Sequence, residues 1–283
     1  MAEPNMIFGT VGNPSSAPDK PGGSIGAIRY LAEQGLYAFE IGWVRSVRVS
    51  EKTARKIGEE ANERGVSLSV HAPYYINLNA DDDEWPKSRK RLMDAAQAGN
   101  WAGATDIIFH PGSYFDRDPQ DVLKKALPRL AGCIDELRDA GNPVRLRPET
   151  MGKQALLGSL EDTLTMAAEI EGVEPCIDFA HLHARRGDGS LNSYDEWSAE
   201  LEKVADKLGE GALHHLHGHL SGIEYTDKGE QNHLMLADSD FDLDALITAL
   251  VAFNCAGRIV CESPKMEQDA QVIKDAWQRA LGH

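Results

Sequence analysis

Residues 67–75 read Ser-Leu-Ser-Val-His-Ala-Pro-Tyr-Tyr, and residues 106–112 read Asp-Ile-Ile-Phe-His-Pro-Gly. Each is a short β-rich run that ends on a histidine and passes into a loop. Working outward, the same grammar recurs: a strand, a loop, then an amphipathic segment closing near Gly or Asn. The strand candidates are Met6–Val11, Tyr37–Gly42, Ser67–His71, Asp106–His110, Val144–Glu149, Pro175–His181, Ala212–His219 and Arg258–Glu262. Between them, Ser50 caps a helix carrying Ala54, Ile57 and Ala61 that Gly65 closes. Asp118-Pro119 starts another, with Leu123, Leu127, Leu130, Ile134 and Leu137 as its apolar stripe and Pro128 as an expected kink or break. A final helix over 267–281 places Val272, Ile273, Ala276 and Leu281 near one face. Strands alternating with helices imply parallel pairing. Spreading 283 residues over eight units gives about 35 residues each, the size of a TIM-barrel unit. The expected fold is α/β, a single (β/α)8 TIM barrel over residues 1–283, with no Pro/Gly/Ser linker to split it.

Composition narrows the functions. No apolar run approaches the roughly 18 residues of a membrane span, and Met1–Ser16 lacks the basic start and apolar stretch of a secretory signal. A cytoplasmic protein is expected. Cys133, Cys176, Cys255 and Cys261 form no CxxC pair and sit among apolar neighbours, as small buried hydrophobes do. A net charge of −16 argues against a broad nucleic-acid coat. Bound cations could still turn one face positive. The acidic run Asp81–Glu84 reads as a solvated loop.

The histidines carry the chemistry. Apart from His283 they are His71, His110, His181, His183, His214, His215, His217, His219 and His233. Most fall at or just past the C-terminal end of a strand, where a barrel builds its active site. Carboxylates fall at the same level: Glu149 ends strand five, Asp178 lies in strand six and Glu262 ends strand eight. Each group has a plainer reading alone. His71 suits a hydrogen-bonded strand end, His110 a turn start, Glu149 a pair with Arg147, Asp178 and His181 an ordinary hydrogen bond, and Glu262 a loop carboxylate. Together at one mouth they would repel or desolvate each other without cations. Imidazole and carboxylate without thiolate suit zinc, with manganese or iron as alternatives. In strand seven His215, His217 and His219 share a face. His219, nearest the mouth, is the favoured ligand, with His217 in reserve. His214, His215 and His183 are expected to support other ligands.

Taken together, His71-Ala-Pro-Tyr74-Tyr-Ile-Asn77-Leu, Phe109-His110-Pro-Gly-Ser, Pro148-Glu149-Thr, Cys176-Ile-Asp178-Phe-Ala-His181 and Cys261-Glu262-Ser resemble the endonuclease IV family. The resemblance runs from about Met6 to Trp277. It implies a zinc-dependent apurinic/apyrimidinic endonuclease on a TIM barrel, cutting duplex DNA 5′ to an abasic sugar and leaving a 3′-hydroxyl and a 5′-deoxyribose phosphate. It further implies two or three Zn2+ ions, with Mn2+ as an alternative. His71, His110 and Glu149 would hold the first. A bridging Glu149 with Asp178, His219 and Glu262 would hold the second, and His181 and His233 the third. Glu149 and Glu262 are the catalytic carboxylates on this reading. The third site departs from the family, which has an aspartate two residues before the last histidine where this chain has Gln231. Glu230 substitutes if the loop shifts by one residue, and Asp238 is a remoter candidate. For DNA the resemblance implies Tyr74 as a minor-groove wedge and Asn77 as the tie of its loop. Arg45 and Arg48 lie where the family carries an intruding arginine, and Lys228 is a further phosphate contact. Tyr74 packed on Pro73, or the arginines merely solvating their helix, are the plain alternatives. The implied partner is duplex DNA containing abasic sites, with no membrane and a monomeric chain. The rival function is a one-ion sugar isomerase or epimerase of the xylose isomerase-like group, using Glu149, Asp178, His219 and Glu262. A third is a barrel that binds DNA or metal without turnover.

Overall fold

Why these runs become strands is visible in how they are buried. β3 (Ser67–His71) and β4 (Asp106–Phe109) lose nearly all solvent contact on both faces, as central parallel strands covered by helices do. They join β1 (Met6–Val11), β2 (Ala38–Gly42), β5 (Arg145–Pro148) and β6 (Ile177–Asp178), with β7 (Leu216–Leu220) and β10 (Gly257–Cys261), in one parallel sheet. Its order is β5-β4-β3-β2-β1-β10-β7-β6. The ends meet: Leu146 bridges Val173 and Glu149 bridges Cys176 in parallel, and Thr150 N–H donates to the Cys176 carbonyl at 3.0 Å. The ring of eight strands and its outer helices form the expected barrel. This computed structural model describes residues 5–283, so the Met1–Pro4 part of the N-terminal expectation lies outside the described residues.

The helices begin where capping chemistry starts them. Ser50 Oγ accepts from Thr53 N–H at the head of α2 (Glu51–Arg64), and Gly65 ends it at φ 68°. Asp118 caps α4 (Pro119–Asp139), which runs through Pro128 without the expected break. Its buried stripe is Val122, Ala126, Leu130, Cys133, Ile134 and Leu137, so Leu123 and Leu127 lie at the edge. In the last helix, α9 (Met266–Leu281), the buried face is Ala270, Ile273, Ala276 and Trp277, while Val272 points to solvent. The remaining helices are α1 (Gly23–Glu33), α3 (Trp85–Trp101), α5 (Leu160–Glu169), α6 (Phe179–Arg186), α7 (Tyr194–Leu208) and α8 (Leu243–Ala252). No helix among the described residues is long and apolar enough to cross a membrane. All four cysteines are free and buried, as expected.

Two expected strands change and a hairpin is added. Strand six shrinks because Asp178 is the N-cap of α6, accepting from His181 N–H at 2.7 Å, so His181 sits on a helix. Strand seven starts late: residues Glu210–His215 form a 3-10 turn. His214 and His215 are therefore exposed at the end of the barrel opposite the expected site, where they support no ligand. After β7 an antiparallel hairpin, β8 (Gly222–Thr226) and β9 (Gly229–Leu234), rises over the mouth.

The barrel interior is polar below the mouth. Arg145 Nε, Arg147 Nε and Arg258 Nη2 converge on Asp106 at 2.8, 2.6 and 3.2 Å. Burial works against the Asp106 carboxylate, but Arg147 and the other guanidiniums prevail and hold it well below the usual carboxylate range. Arg147 also pairs with Glu174, so it does not partner Glu149.

A candidate metal centre at the barrel mouth

Parallel strands present their C-terminal ends at one face, and the groups expected there do meet. His71 Nε2 and His110 Nε2 each lie 3.2 Å from Glu149 Oε2. The other carboxylate oxygen, Oε1, is 3.3 Å from His219 Nδ1 and 3.4 Å from His181 Nδ1. His219 Nδ1 is also 3.5 Å from Glu262 Oε1. Glu149, fully buried, thus faces one set of imidazoles with each oxygen. Ligand atoms within 4.8 Å of one another define the groups His71–His110–Glu149, Glu149–Asp178–His219–Glu262 and His181–Glu230–His233 at the mouth, and Glu40–His71–His219 and Cys176–His217–His219 one layer below.

Local hydrogen bonds aim the rings. His71 Nδ1 lies 3.0 Å from the Ala72 carbonyl and His181 Nδ1 lies 2.9 Å from the Thr150 carbonyl. A carbonyl only accepts, so each ring carries its proton on Nδ1 and leaves Nε2 as a free lone pair. Asp178 uses Oδ1 to cap α6, while Oδ2 is buried without a hydrogen-bond partner, as is His181 Nε2. Orphaned buried donors of electron pairs, grouped as nitrogen and carboxylate oxygen, fit divalent cations. Without a cation, protons take over. Burial opposes a charged His71, yet the Glu149 carboxylate outweighs it and lifts the imidazole to about 9. His181 and His219 are raised in the same way, against burial, by Asp178 and Glu149 and by the acidic groups around His219.

The third group depends on an irregularity in the hairpin. Ile223 pairs with His233 and Glu224 with Asn232, but Tyr225 pairs with Glu230, so Gln231 is an extra residue on β9. Alternation would put 231 and 233 on one face; the bulge turns Gln231 outward and returns Glu230 to the face of His233. Glu230 Oε2 then lies 3.6 Å from His181 Nε2. The hairpin docks through Glu230 N–H on the Gly152 carbonyl at 3.0 Å, and a Cβ at Gly152 would stand 2.6 Å from Glu230 Cβ. Gln231 and Asp238 are exposed and join no group.

Other expected residues sort as follows. The structure places His219, rather than His217, in the group; His217 lies one layer deeper, where burial lowers its imidazole to about 4. His183 does not support the mouth but faces Asp240 at 3.2 Å, behind α6. The Tyr74 ring stacks on His110 at 5.2 Å and meets His71 edge-on at 5.5 Å, leaving it half exposed. A groove of about 330 Å³ opens between Tyr74, His233 and Glu262. Asn77 is a tie: its Oδ1 accepts from Asn79 N–H at 2.9 Å and abuts Gly112 of the next loop. Arg45, Arg48 and Lys228 are exposed on loops at this end. Sequence reasoning missed Glu40, fully buried on β2, with Oε1 3.1 Å from His219 Nε2 and Oε2 2.9 Å from His217 Nε2. The available signal was a lone carboxylate in the apolar strand Ala-Phe-Glu-Ile.

An α/β barrel whose mouth gathers imidazoles and carboxylates around shared positions is the class of protein these features define. The sequence profile of the xylose isomerase-like TIM barrel family matches residues 28–281, and the chain belongs to that family. An uncharacterised protein of Methanocaldococcus jannaschii is 37% identical over 269 residues, 95% of each chain. Endonuclease 4 of Thermus thermophilus is 28% identical over 216 residues, 69% of this chain and 77% of that one. Among solved structures, an endonuclease IV from Thermus thermophilus aligns with a TM-score of 0.69 at 21% identity over 99% of each chain. A D-tagatose 3-epimerase-like protein aligns with a TM-score of 0.72 at 19% identity, covering 98% of this chain and 97% of that one. These two likenesses speak to the fold alone.

Proposed function

We propose that the protein is a zinc-dependent apurinic/apyrimidinic endonuclease acting in base excision repair, a monomeric cytoplasmic enzyme that cuts duplex DNA 5′ to an abasic site. The observation that carries this reading is Glu149, which presents one oxygen to His71 and His110 and the other to His219, beside a third group of His181, Glu230 and His233. Such an array suits two or three ions, more than one sugar substrate requires. Bound ions would supply Lewis acidity to a phosphodiester and an activated water. The chain's own residues do the rest. His71 and His181 are aimed by backbone carbonyls, and Tyr74 offers an exposed aromatic edge above His110 for insertion beside the lesion. Arg45, Arg48 and Lys228 are free to meet phosphates along the duplex. Incision of a duplex with one tetrahydrofuran abasic analogue, with and without chelator, tests the proposal. Chelator-sensitive cleavage 5′ to the analogue is expected; tight binding without incision would favour a non-catalytic binder.

The rival epimerase reading draws support from the −16 charge, which suits a small neutral substrate, and from the group Glu149–Asp178–His219–Glu262, sufficient for one ion. Metal content decides: one ion per chain together with ketose epimerisation would replace the nuclease reading.

A further inference from the structure

Below the metal groups lies a buried carboxylate that the proposed reaction leaves without a task. Glu40 is fully buried on β2. Its Oε2 is doubly supplied, by Ser69 Oγ–H at 2.8 Å and His217 Nε2 at 2.9 Å. Its Oε1 lies 3.1 Å from His219 Nε2, in a group with His71 whose ligand atoms fall within 4.8 Å of one another. Both Oε1 and that nitrogen are buried without an aligned hydrogen-bond partner, so a small turn of the ring would satisfy both. The opposite nitrogen of that ring, Nδ1, points up to Glu149 and Glu262. His219 therefore stands between two layers of carboxylate, one at the mouth and one beneath it. An imidazole that gives its Nδ1 lone pair to a cation must carry its proton on Nε2. That proton lies on the side where Glu40 waits.

We infer that Glu40 is a positioning residue: it holds His219 in the Nε2–H tautomer and fixes the ring so that Nδ1 serves the Glu149–Asp178–His219–Glu262 group. This inference rests on the metal reading above. Burying a carboxylate is costly unless it is paired and hydrogen-bonded. Packing alone would be served as well by an aliphatic residue, since Phe39 and Ile41 beside it are buried and apolar. A carboxylate set against the rear nitrogen of a ligating histidine orients that ring and makes it a better ligand. Ser69, on β3 at the register of Glu40, holds the other oxygen and stops the carboxylate from swinging away.

The test is a zinc titration of chelator-stripped protein against a chromophoric chelator, with variants E40Q, S69A, H219A and E40Q/H219A. The amide in E40Q keeps the shape of the side chain and loses its charge. The expected result is that E40Q weakens one binding step by about 10–100-fold and leaves the others unchanged, while S69A weakens the same step less. E40Q/H219A should bind no worse than H219A, because the carboxylate acts through the ring. Wild-type affinity at every step in E40Q overturns the inference, as does a double variant that adds the full E40Q loss to that of H219A. If E40Q fails to fold, by thermal melting, S69A carries the decision, and unchanged zinc affinity there overturns it. A wild-type chain that binds no zinc overturns the metal reading and this inference together; a wild-type chain that binds zinc with E40Q unaffected overturns the inference alone.

Discussion

Stripping divalent ions from the mouth leaves Glu149 with four imidazoles within 3.4 Å, and a proton must stand where a cation would. For His71, burial opposes the charge and Glu149 overrides it, taking the imidazole from 6.5 to about 9. A rise of that size corresponds to about 3 kcal/mol of folding stability for the group. Because the folded pKa lies above the unfolded one, the contribution is whole below pH 6.5 and disappears as pH climbs through about 9. His181 and His219 are raised too and act in the same direction. Tyr74, pushed up to about 12 chiefly by burial, stays neutral across this window. Thermal melts of chelator-treated protein at pH 6.5 and 9.5 should therefore differ by roughly 6–10 °C for a chain of this size, with the lower value at high pH. Zinc-loaded protein should lose much less, since a cation replaces the proton; the difference between loaded and stripped melts removes general charge effects. A stripped protein with equal melting temperatures at both pH values would refute the idea that protons replace cations around Glu149.

Further outcomes follow from other parts of the molecule. E230A should lower zinc by one ion per chain in elemental analysis of gel-filtered protein, and adding Gln231→Asp should not restore it, because the bulge turns that position outward. Restoration would show that the hairpin register is wrong. His110→Ala should keep its fold by circular dichroism and lose about 100-fold in incision rate, the scale of removing one electrostatic stabiliser from a reacting centre; near-normal incision would count heavily against the nuclease. Asp106→Ala removes the shared carboxylate of three guanidiniums, leaving Glu174 as the remaining acid beside Arg145 and Arg147, and should cost about 3–5 kcal/mol in urea unfolding. A loss below about 1 kcal/mol would mean that Glu174 and the surrounding carbonyls satisfy the arginines without Asp106.

Much of the barrel was legible because parallel strands are short, β-rich and separated by capped helices. Ser50, Gly65 and Asp118 each did what their side chains or backbone predict. Failures came where local chemistry outranked pattern. Asp178 reads as mid-strand, but its carboxylate starts a helix on the spot. His214 and His215 extend a β-like run on paper, yet they close a 3-10 turn at the wrong end of the barrel. Glu230 entered only as an alternative to Gln231, since a bulge is a property of two paired strands and one strand's sequence does not display it. Arg147 reads as a partner of Glu149, and its true partner, Asp106, sits on the neighbouring strand, where only the folded barrel brings them together. Glu40 was overlooked for a related reason: its partners, Ser69, His217 and His219, come from strands far away in sequence.

The bulge bears on how a chain of net charge −16 could approach DNA at all. The groups at the mouth contain four carboxylates, Glu149, Asp178, Glu230 and Glu262, hence −4 when ionised. Two dications would bring that to zero and leave the mouth without a positive field toward phosphate. A third would bring it to +2, a local positive field on an acidic protein. On the proposed reading, the ion held by His181, Glu230 and His233 thus decides the sign of the surface that meets the backbone, and the extra residue Gln231 matters because it turns Glu230 inward. The same count applies to the rival: one ion would leave the mouth at −2, acceptable for a neutral sugar and repulsive to a phosphodiester. Which substrate this barrel can hold is in that sense a question of how many cations its strand ends collect.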